Sequence, residues 1–364
     1  MTTPTDNDYM LRAYQLARLG LDNTSPNPCV GAVIVARGRI IGEGSHRRIG
    51  QPHAEVNAIR SVAPDDRHLL TEATIYVTLE PCSHYGKTPP CAELITKTGI
   101  PRVVVASPDP SPKVNGKGIR MLREAGIEVT VMNNHLTQLC DQLNAAFNAP
   151  YTLHRPLVTL KWAQSADGFM AGPDGQPVRF STPLTSTLVH KLRSDHDVIL
   201  TTSANINADN PLLDCRFWSS AQEPKVASII PGQRKLPPRI AIIDRKMTVD
   251  TNARVFANAQ QPPLVFSEFN MAIPGAETVN LNPVTPQAVL RHLLDMGYNS
   301  VLVEAGPTFL TAMIREGLYD SIRVELSPVT LGRQGTKSAP ALPGTPQKTE
   351  KVESNLILTY EKHR

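Results

Sequence analysis

The sequence predicts an α/β protein of two domains. Its 364 residues are about twice the length of an ordinary domain. Hydrophobic residues make up 41 % of the chain and charged residues 19 %, a globular composition with enough apolar material for two cores. Short strand-like apolar runs alternate with amphipathic helical stretches along the chain. This alternation is typical of layered α/β folds.

The elements of the first half are predicted from periodicity and turn residues. Apolar residues at helical spacing over 8–19 predict an amphipathic helix with Asp8 as its N-cap. Two strand-like runs, 30–35 and 40–42, are joined by Ala36-Arg37-Gly38-Arg39, which predicts a hairpin. Further along we predict, in order, a helix starting at 53–61, a strand at 74–78, a helix at 91–98, a strand at 102–106 and a helix at 118–125.

The boundary between the domains is predicted from a change of pattern. Residues 144–156 contain two prolines and no strong periodicity, which is typical of a loop between domains. We therefore predict a first domain of residues 1–148 and a second of residues 149–364. In the second we predict another α/β set of elements at 157–163, 185–192, 197–200, 240–243, 286–296, 300–304 and 307–316, followed by strands from residue 321 to the C-terminus.

Charge and hydropathy exclude several classes of protein. The formal net charge of +4 is spread along the chain, so it helps to attract a phosphorylated substrate but does not indicate nucleic-acid binding. The longest apolar runs are strand-sized, well below the roughly 18 residues of a membrane span. The N-terminal residues lack the features of a signal peptide, and the five cysteines are an odd number. We expect a cytoplasmic protein without a disulfide framework and without membrane or nucleic-acid partners.

The first domain carries a pattern of candidate metal ligands. His53 is followed by Cys82, directly after a proline, and then by Cys91. One imidazole and two thiolates give zinc three protein ligands and leave its fourth tetrahedral position for water, as in catalytic zinc sites. Zinc lowers the pKa of that water to about 7. Both cysteines lie at apparent helix starts, where the helix dipole favours the thiolate.

Glu55 is the predicted catalytic residue of this site. It lies two residues after His53 at the start of a helix, where it reaches the water without binding the metal. In zinc deaminases such a glutamate carries a proton from the water to the ring nitrogen and then to the departing amine. The pattern therefore predicts a zinc-dependent deaminase of a nitrogen heterocycle. The alternative is a structural zinc module, which would normally have four protein ligands.

The loop between the two cysteines departs from the general deaminase signature, Pro-Cys-X-X-Cys. Here residues 83–90 intervene, and they bring His84 and Lys87 next to the predicted metal site. Two basic side chains at this place suit a phosphorylated substrate. The long loop and the absence of a basic cluster disfavour an RNA deaminase.

The second domain offers fewer signals from its residues alone. Residues 300–310 predict a strand, a tight turn at Gly306 and a helix start, whose N–H groups can bind an anion; an ordinary turn is the alternative. Arg193 and Arg216 are candidates to bind a phosphate, or else are solvated arginines. Lys161 lies in an apolar run, where a lysine is costly unless it is paired or used.

Four motifs of the first domain carry a family resemblance. They are Thr24-Ser-Pro-Asn-Pro-Cys-Val-Gly31, Gly42-Glu-Gly-Ser-His46, Pro52-His-Ala-Glu55 and Glu80-Pro-Cys-Ser-His-Tyr-Gly-Lys-Thr-Pro-Pro-Cys91. Together they resemble the bifunctional deaminase/reductase family of riboflavin biosynthesis. The long loop between the cysteines distinguishes this family from cytidine and tRNA adenosine deaminases. The resemblance continues through the second domain.

The resemblance implies two activities on two α/β folds. A cytidine-deaminase-like three-layer domain would deaminate 2,5-diamino-6-(5-phosphoribosylamino)pyrimidin-4(3H)-one with one Zn2+ per chain. A dihydrofolate-reductase-like domain would then reduce the ribosyl group to ribityl with NADPH. The substrate is thus a small phosphoribosylaminopyrimidine, and we also expect a homo-oligomer, either a dimer or a tetramer. The deaminase substrate contacts implied by motif match are Asn27, His46, His84 and Lys87.

In the second domain the resemblance assigns roles by position. Hydride is expected at C1′ of the sugar, with Lys161 or Asp209 as the proton source. The implied substrate contacts are Arg193, Leu213, Arg216 and Glu304. The implied cofactor contacts are Ala163 by its backbone, Arg179, Asn205, Asp209, Gly306, Pro307, Thr308, Phe309, Leu310, Thr311 and Ala312.

Three positions depart from the family pattern around the expected cofactor site. Arg179-Phe-Ser-Thr182 replaces a Trp-Ile-Thr-Ser run, Asn210 replaces the second acid of Ala-Asp-Asp-Pro, and Arg245 stands where a serine is expected. Arg179 and Arg245 are candidate partners of the 2′-phosphate of NADPH. The alternative is a deaminase whose second domain has lost its reductase activity and only binds or regulates.

Overall fold

The computed structural model describes residues 4–21, 23–86, 89–218 and 237–362. The chain divides into two compact units, Met1–His154 and Arg155–Arg364. The division lies after residue 154 rather than after residue 148, and the extents predicted for the two domains stay a prediction.

The expected loop at residues 144–156 is wrong, because most of this segment is the helix Ala145–Thr152. Pro150 has no N–H to donate, yet the helix continues through it. The N–H of Asn148 donates to the carbonyl of Asn144, and the N–H of Leu153 donates to that of Ala149. Residue 148 therefore lies within a helix.

The first unit is a mixed sheet with helices on both faces. Its described helices are α1 Asp6–Ala17, α2 Ala54–Ser61, α3 Cys91–Thr98, α4 Lys117–Glu124, α5 His135–Leu143 and α6 Ala145–Thr152. Its described strands are β1 Gly31–Ala36, β2 Arg39–Ser45, β3 Thr74–Val77, β4 Arg102–Val105 and β5 Glu128–Val131. The strand order is β2-β1-β3-β4-β5, in which β1 is antiparallel to both its neighbours and β3, β4 and β5 are parallel.

Alternate side chains of the interior strand β1 pack into two separate cores, so the unit has three layers. Ala32 and Ile34 pack with residues of α2, α3 and α4 on one face. Val33 and Val35 pack with residues of α1 and α5 on the other. The period of two follows from the pleat of the strand. The α/β class predicted for this half is confirmed.

Two local predictions in this unit have different outcomes. The hairpin is confirmed: Arg37 and Gly38 connect β1 to β2 with φ of 53° and 73°, the geometry of a two-residue type I′ turn. The N-cap prediction is wrong, because α1 begins at Asp6 after Thr5. Asp8 lies inside the first turn, where its carboxylate accepts from the N–H of Thr5 at 2.7 Å.

The second unit is built on a largely parallel sheet. Its described helices are α7 Pro183–Ser194, α8 Ser203–Asp209, α9 Arg254–Asn258, α10 Pro286–Asp295 and α11 Pro307–Arg315. Its described strands are β6 Leu157–Gln164, β7 Phe169–Ala171, β8 Val198–Thr202, β9 Arg239–Ile243, β10 Leu264–Ser267, β11 Glu277–Asn280, β12 Ser300–Val303, β13 Ser321–Leu326, β14 Thr336–Ser338, β15 Lys348–Val352 and β16 Asn355–Glu361.

The order of the main sheet is β11-β10-β9-β8-β12-β6-β13-β16-β15. All neighbours from β11 to β13 are parallel, and β16 and β15 complete the sheet antiparallel. Val198 and Leu200 of β8 pack with α10 and α11, whereas Ile199 packs with α8 and α9 on the other face. Because β8, β12 and β6 are adjacent and parallel, the segments that follow them emerge at one edge of the sheet.

Membrane-spanning helices are absent from the described residues: none of the helices there has the length and apolar character to cross a bilayer.

Candidate active sites

Three side chains predicted as metal ligands meet in the first unit. His53 precedes α2, Cys82 lies in the turn after β3, and Cys91 is the first residue of α3. The Nδ1 atom of His53 lies 3.7 Å from Sγ of Cys82 and 3.4 Å from Sγ of Cys91. Tetrahedral zinc, with bonds of about 2.05 Å to nitrogen and about 2.3 Å to sulfur, needs about 3.6 Å between such atoms. The spacing and chemistry of the three donors therefore fit zinc.

Close packing of α2 on β2 places these ligands. A Cβ atom at Gly44 would lie 2.2 Å from the carbonyl oxygen of Ala54, and one at Gly42 would lie 2.6 Å from that of Ala58. Only glycine lets the backbones of helix and strand approach so closely. The Gly42-Glu-Gly-Ser-His46 motif thus fixes the helix that begins next to His53.

The two thiols share a hydrogen bond. It lowers the pKa of Cys82, and the N–H of Cys91 also donates to Sγ of Cys82 at 3.3 Å. The same hydrogen bond, together with burial, raises the pKa of Cys91. Cys82 therefore loses its proton more readily than Cys91, and a divalent cation bound between the two sulfurs would replace the shared proton.

Glu55 lies in the first turn of α2, where only 3 % of its surface is exposed. Burial, and after it the negative charge of Cys82, raises the pKa of Glu55 to about 7. A carboxyl group that gains and loses a proton near neutral pH is suited to general acid–base chemistry. The structure thus brings the predicted proton carrier beside the three metal ligands.

Two predicted substrate contacts of the deaminase lie together. The ring of His46 lies 5.5 Å from that of His53, and its Nε2 atom is 3.5 Å from Nδ2 of Asn27. Burial lowers the pKa of His46, so the ring is neutral at pH 7. The ring hydrogen therefore lies on Nδ1, which donates to the carbonyl of Pro52 at 3.2 Å, and Nε2 is left as an acceptor.

His84 is exposed in the loop between the cysteines, and Lys87 lies outside the described residues. Their expected substrate contacts stay predictions.

Asp109, which was not predicted as a site residue, follows β4 and is buried near Cys82 and His84. Burial raises the pKa of Asp109 to about 6. Its loop is held by Glu80, whose carboxylate accepts from the N–H groups of Asp109, Gly116 and Ile119 at 3.0–3.2 Å. The only sequence signal was its position after a predicted strand.

Four predicted residues of the second unit lie toward one edge of its sheet. Lys161 and Ala163 lie in the last half of β6, Asn205 lies in α8 directly after β8, and Glu304 follows β12. These three strands are adjacent and parallel, and ligands of such sheets bind outside the carboxyl ends of the strands.

Gly306 offers an open backbone at the start of a helix. It is the N-cap of α11, and a Cβ atom built there would meet nothing within 4 Å. The N–H groups of a helix start can bind an anion such as the pyrophosphate of a dinucleotide. Of the residues predicted after Gly306, Leu310 is fully buried in the core, so only its backbone can contact a ligand.

Lys161 and Asp209 are the candidate proton donors of the second unit. Burial lowers the pKa of Lys161, and the charges of Glu304 and Glu325 oppose that shift. A lowered pKa makes the ammonium a better acid at neutral pH. Asp209 ends α8, and burial raises its pKa against the effect of Lys337.

Both arginines predicted to bind phosphate have carboxylate partners. Arg193 forms a two-point ion pair with Glu304, with Nε and Nη2 at 2.6 and 2.9 Å from its oxygens. Nη1 of Arg216 lies 2.6 and 2.7 Å from the two oxygens of Asp214. Leu213, next to Asp214, is buried with a φ of 51°, a strained backbone of the kind found at functional sites.

The three departures from the family pattern lie in different surroundings. Arg179 is exposed, and the half-exposed Arg245 donates from Nε to Glu268 at 2.9 Å. Asn210 ends α8 in the left-handed conformation with a φ of 40°, and its side-chain oxygen accepts from the N–H of Arg254. Since asparagine tolerates this conformation well, the backbone geometry explains the asparagine at position 210.

Comparison with known families accounts for both units. The model of the RibD C-terminal domain matches residues 156–360. The model of the cytidine and deoxycytidylate deaminase zinc-binding region matches residues 3–107. The fold class expected for each domain is thereby confirmed.

Comparison with individual proteins covers the whole chain. The chain is 33 % identical in sequence to riboflavin biosynthesis protein RibD of Aquifex aeolicus over 100 % of both chains. It is 37 % identical to RibD of Escherichia coli over 90 % of this chain and 89 % of the other. Among solved structures, RibD of Acinetobacter baumannii matches with a TM-score of 0.85 at 31 % identity, over 99 % of both chains. A second solved structure matches with a TM-score of 0.81 at 33 % sequence identity, over 98 % of both chains. It is the diaminohydroxyphosphoribosylaminopyrimidine deaminase/5-amino-6-(5-phosphoribosylamino)uracil reductase of Thermotoga maritima.

Proposed function

This chain belongs to the RibD family of riboflavin biosynthesis proteins, and from that premise we propose which of its residues perform each of two reactions. The chain is a bifunctional enzyme, a zinc-dependent deaminase and an NADPH-dependent reductase. Its substrate is a small molecule, which we propose to be the diaminohydroxyphosphoribosylaminopyrimidine named for the Thermotoga maritima protein. The observation that carries the proposal is the meeting of His53, Cys82 and Cys91 beside the buried Glu55.

In the deaminase, His53, Cys82 and Cys91 hold the zinc ion, which when bound lowers the pKa of a water molecule and so supplies hydroxide. Glu55 takes a first proton from the attacking water and passes it to the ring nitrogen. It then takes the second proton from the hydroxyl group now attached to the ring carbon and gives it to the amine, which leaves as ammonia as the C–N bond breaks and the carbonyl forms. Its pKa near 7 supports both directions of transfer. Asn27 and the neutral His46 orient the pyrimidine, with Nε2 of His46 as a hydrogen-bond acceptor.

In the reductase, NADPH when bound supplies the hydride that reduces C1′ of the ribosyl group. The open backbone at Gly306 would hold its pyrophosphate, a role that the free space there supports. Lys161 holds the proton that accompanies the reduction; its lowered pKa, with the carboxylates of Glu304 and Glu325 nearby, favours it over Asp209. Arg193 and Arg216 bind the phosphate of the substrate.

Location and assembly are part of the same proposal. We propose a cytoplasmic homo-oligomer with a small-molecule substrate and without nucleic-acid or membrane partners. The dispersed charge of +4 supports the absence of a nucleic-acid partner.

The experiment is a product analysis with the diaminopyrimidine ribotide. Without NADPH we expect exchange of one ring amino group for oxygen and release of ammonia; with NADPH we expect the deaminated product to gain two hydrogens. Addition of a zinc chelator should stop the first reaction, while supplied deaminated ribotide is still reduced. Release of ammonia without later reduction would favour a non-catalytic second unit.

A further inference from the structure

The carboxylate of Asp214 lies in a basic cluster of the second unit. It accepts from Nη1 of Arg216 through both oxygens, at 2.6 and 2.7 Å. One of these oxygens also lies 3.7 Å from Nδ1 of His190. The backbone carbonyl of the same aspartate accepts from Nη1 of Arg193 at 3.1 Å. Three basic side chains thus converge on one anionic residue of the chain itself.

His190 has an incomplete set of hydrogen bonds. Only 5 % of its surface is exposed, and within the described part of the chain its Nδ1 atom has no hydrogen-bond partner. The 3.7 Å to Asp214 is too long for a hydrogen bond. The ring of Phe217 lies edge-on, 4.7 Å away. Since buried polar atoms are nearly always paired, this nitrogen indicates an atom that arrives with a ligand.

The chain's own carboxylates balance the charges of the two arginines. Glu304 is nearly buried against Arg193, so breaking this ion pair would cost much free energy. The pair of Asp214 and Arg216 is more open, with 31 % and 47 % of the side chains exposed. Asp214 can therefore turn into water, and its departure would leave a cationic position bounded by Arg216 and His190.

We propose that Asp214 occupies the position of the substrate phosphate while the reductase is empty, and that His190 is a further phosphate-binding residue. This rests on the proposed function, in which Arg193 and Arg216 bind the phosphate. When a phosphorylated sugar enters, its phosphate replaces the carboxylate on Arg216, and Nδ1 of His190 donates to a phosphate oxygen. Arg193 keeps its pair with Glu304 and contributes its charge. Asp214 thus acts as a competitor built into the site.

The test is calorimetric titration of the full-length chain with ribose 5-phosphate, and with ribose as the probe that lacks the phosphate. Removal of the competitor in Asp214→Asn should tighten ribose 5-phosphate binding about tenfold, whereas His190→Gln should weaken it about tenfold. Asp195→Asn is the matched control, because it removes an equal charge from a pair with Lys191 on the same helix end. This control variant should change neither the affinity for ribose 5-phosphate nor that for ribose. NADPH binding and the unfolding midpoint check that each variant folds.

Three results would overturn parts of the account separately. Unchanged or weaker binding in Asp214→Asn, with weaker binding in Arg216→Ala, overturns the competitor role alone. Unchanged binding in His190→Gln and in His190→Asn overturns the role of His190. Binding that Arg216→Ala leaves intact, or that is absent from wild type and Asp214→Asn alike, overturns this proposal together with the phosphate site of the proposed function. Product formation would still test the two reactions independently.

Discussion

Arg193 and Glu304 form a two-point ion pair that joins α7 to the segment after β12, with only 14 % and 12 % of the two side chains exposed. The charge of Arg193 holds the pKa of Glu304 at about 2 despite the opposing effect of burial. Both residues were expected to contact substrate. Their pairing gives them a structural role in addition.

The pairing predicts unequal effects for two arginine substitutions. Arg193→Ala leaves the Glu304 carboxylate buried without a partner and should lower the free energy of unfolding by about 3–5 kcal/mol. Arg216→Ala removes a half-exposed pair and should cost less than about 1 kcal/mol, while raising the substrate KM about tenfold or more. Urea unfolding and steady-state kinetics measure both. Equal destabilisation by the two substitutions would contradict the structural role.

Gly306→Ala should separate folding from cofactor binding. A Cβ atom there meets nothing within 4 Å, and the φ of −69° is allowed to any residue, so the unfolding midpoint should not change. The new methyl group would stand where the pyrophosphate approaches the backbone, so the Kd of NADPH should rise about tenfold or more. Fluorescence titration with NADPH measures the Kd, and the deaminase activity of the same variant is the internal control. An unchanged Kd would show that the pyrophosphate does not bind at this turn.

His190 should make the second unit less stable in mild acid. Burial, followed by the charge of Arg193, lowers the pKa of His190 from 6.5 to about 4; Arg216 acts in the same direction, and Asp214 and Glu304 oppose it. The unfolded chain therefore binds this proton more tightly than the folded chain. The contribution of the neutral ring to the free energy of unfolding is present in full above pH 6.5 and is lost as the pH falls toward 4. The loss between pH 8 and pH 5 is about 2 kcal/mol.

His190→Gln should remove this loss from the pH dependence of urea unfolding. The exposed His135 provides the control, since His135→Gln should keep the wild-type slope. Comparison of each variant with wild type at the same pH cancels the loss of metal in acid. A slope identical in wild type and His190→Gln would show that His190 is not the titrating group.

The first unit should fold alone when the chain is cut after His154. A fragment 1–154 keeps α6 whole, including the fully buried Ala149. It also keeps the support of Asn144, whose side chain bonds both to the N–H and to the carbonyl of Cys29. We expect one zinc per fragment and an unfolding midpoint above that of 1–148, which loses the last turn of the helix. A fragment 1–154 that binds no zinc would contradict the division.

Local spacing explains what the sequence predicted well. His53, Glu55, Cys82 and Cys91 lie next to predicted element ends. Although His53 meets the cysteines from 29 and 38 residues away, the meeting was predictable because the four residue types together form the pattern of a catalytic zinc site. Helix stops were equally visible, for example at Gly99, which ends α3 in the left-handed conformation. The α/β class followed from the alternation of long periodic segments.

The contacts that the sequence could not show join residues distant in the chain. Asp214 approaches His190 only because an irregular segment with two left-handed residues, Asn210 and Leu213, precedes it. Short elements such as α8, Ser203–Asp209, and β11, Glu277–Asn280, are polar and too brief for periodicity to reveal. The helix through Pro150 was missed because proline outweighed the flanking helix formers in the pattern.

Two full-length variants, tested singly and as a mixture, examine the central claim that one chain carries two separate active sites. With ribotide and NADPH, Glu55→Gln should release no ammonia although it retains one zinc per chain, and Lys161→Met should release ammonia and accumulate the deaminated ribotide. The mixture should form the ribityl product, because each variant supplies the reaction that the other lacks. Mass analysis of the three reactions is the measurement. Ribityl product from either variant alone, or none from the mixture, would contradict the account.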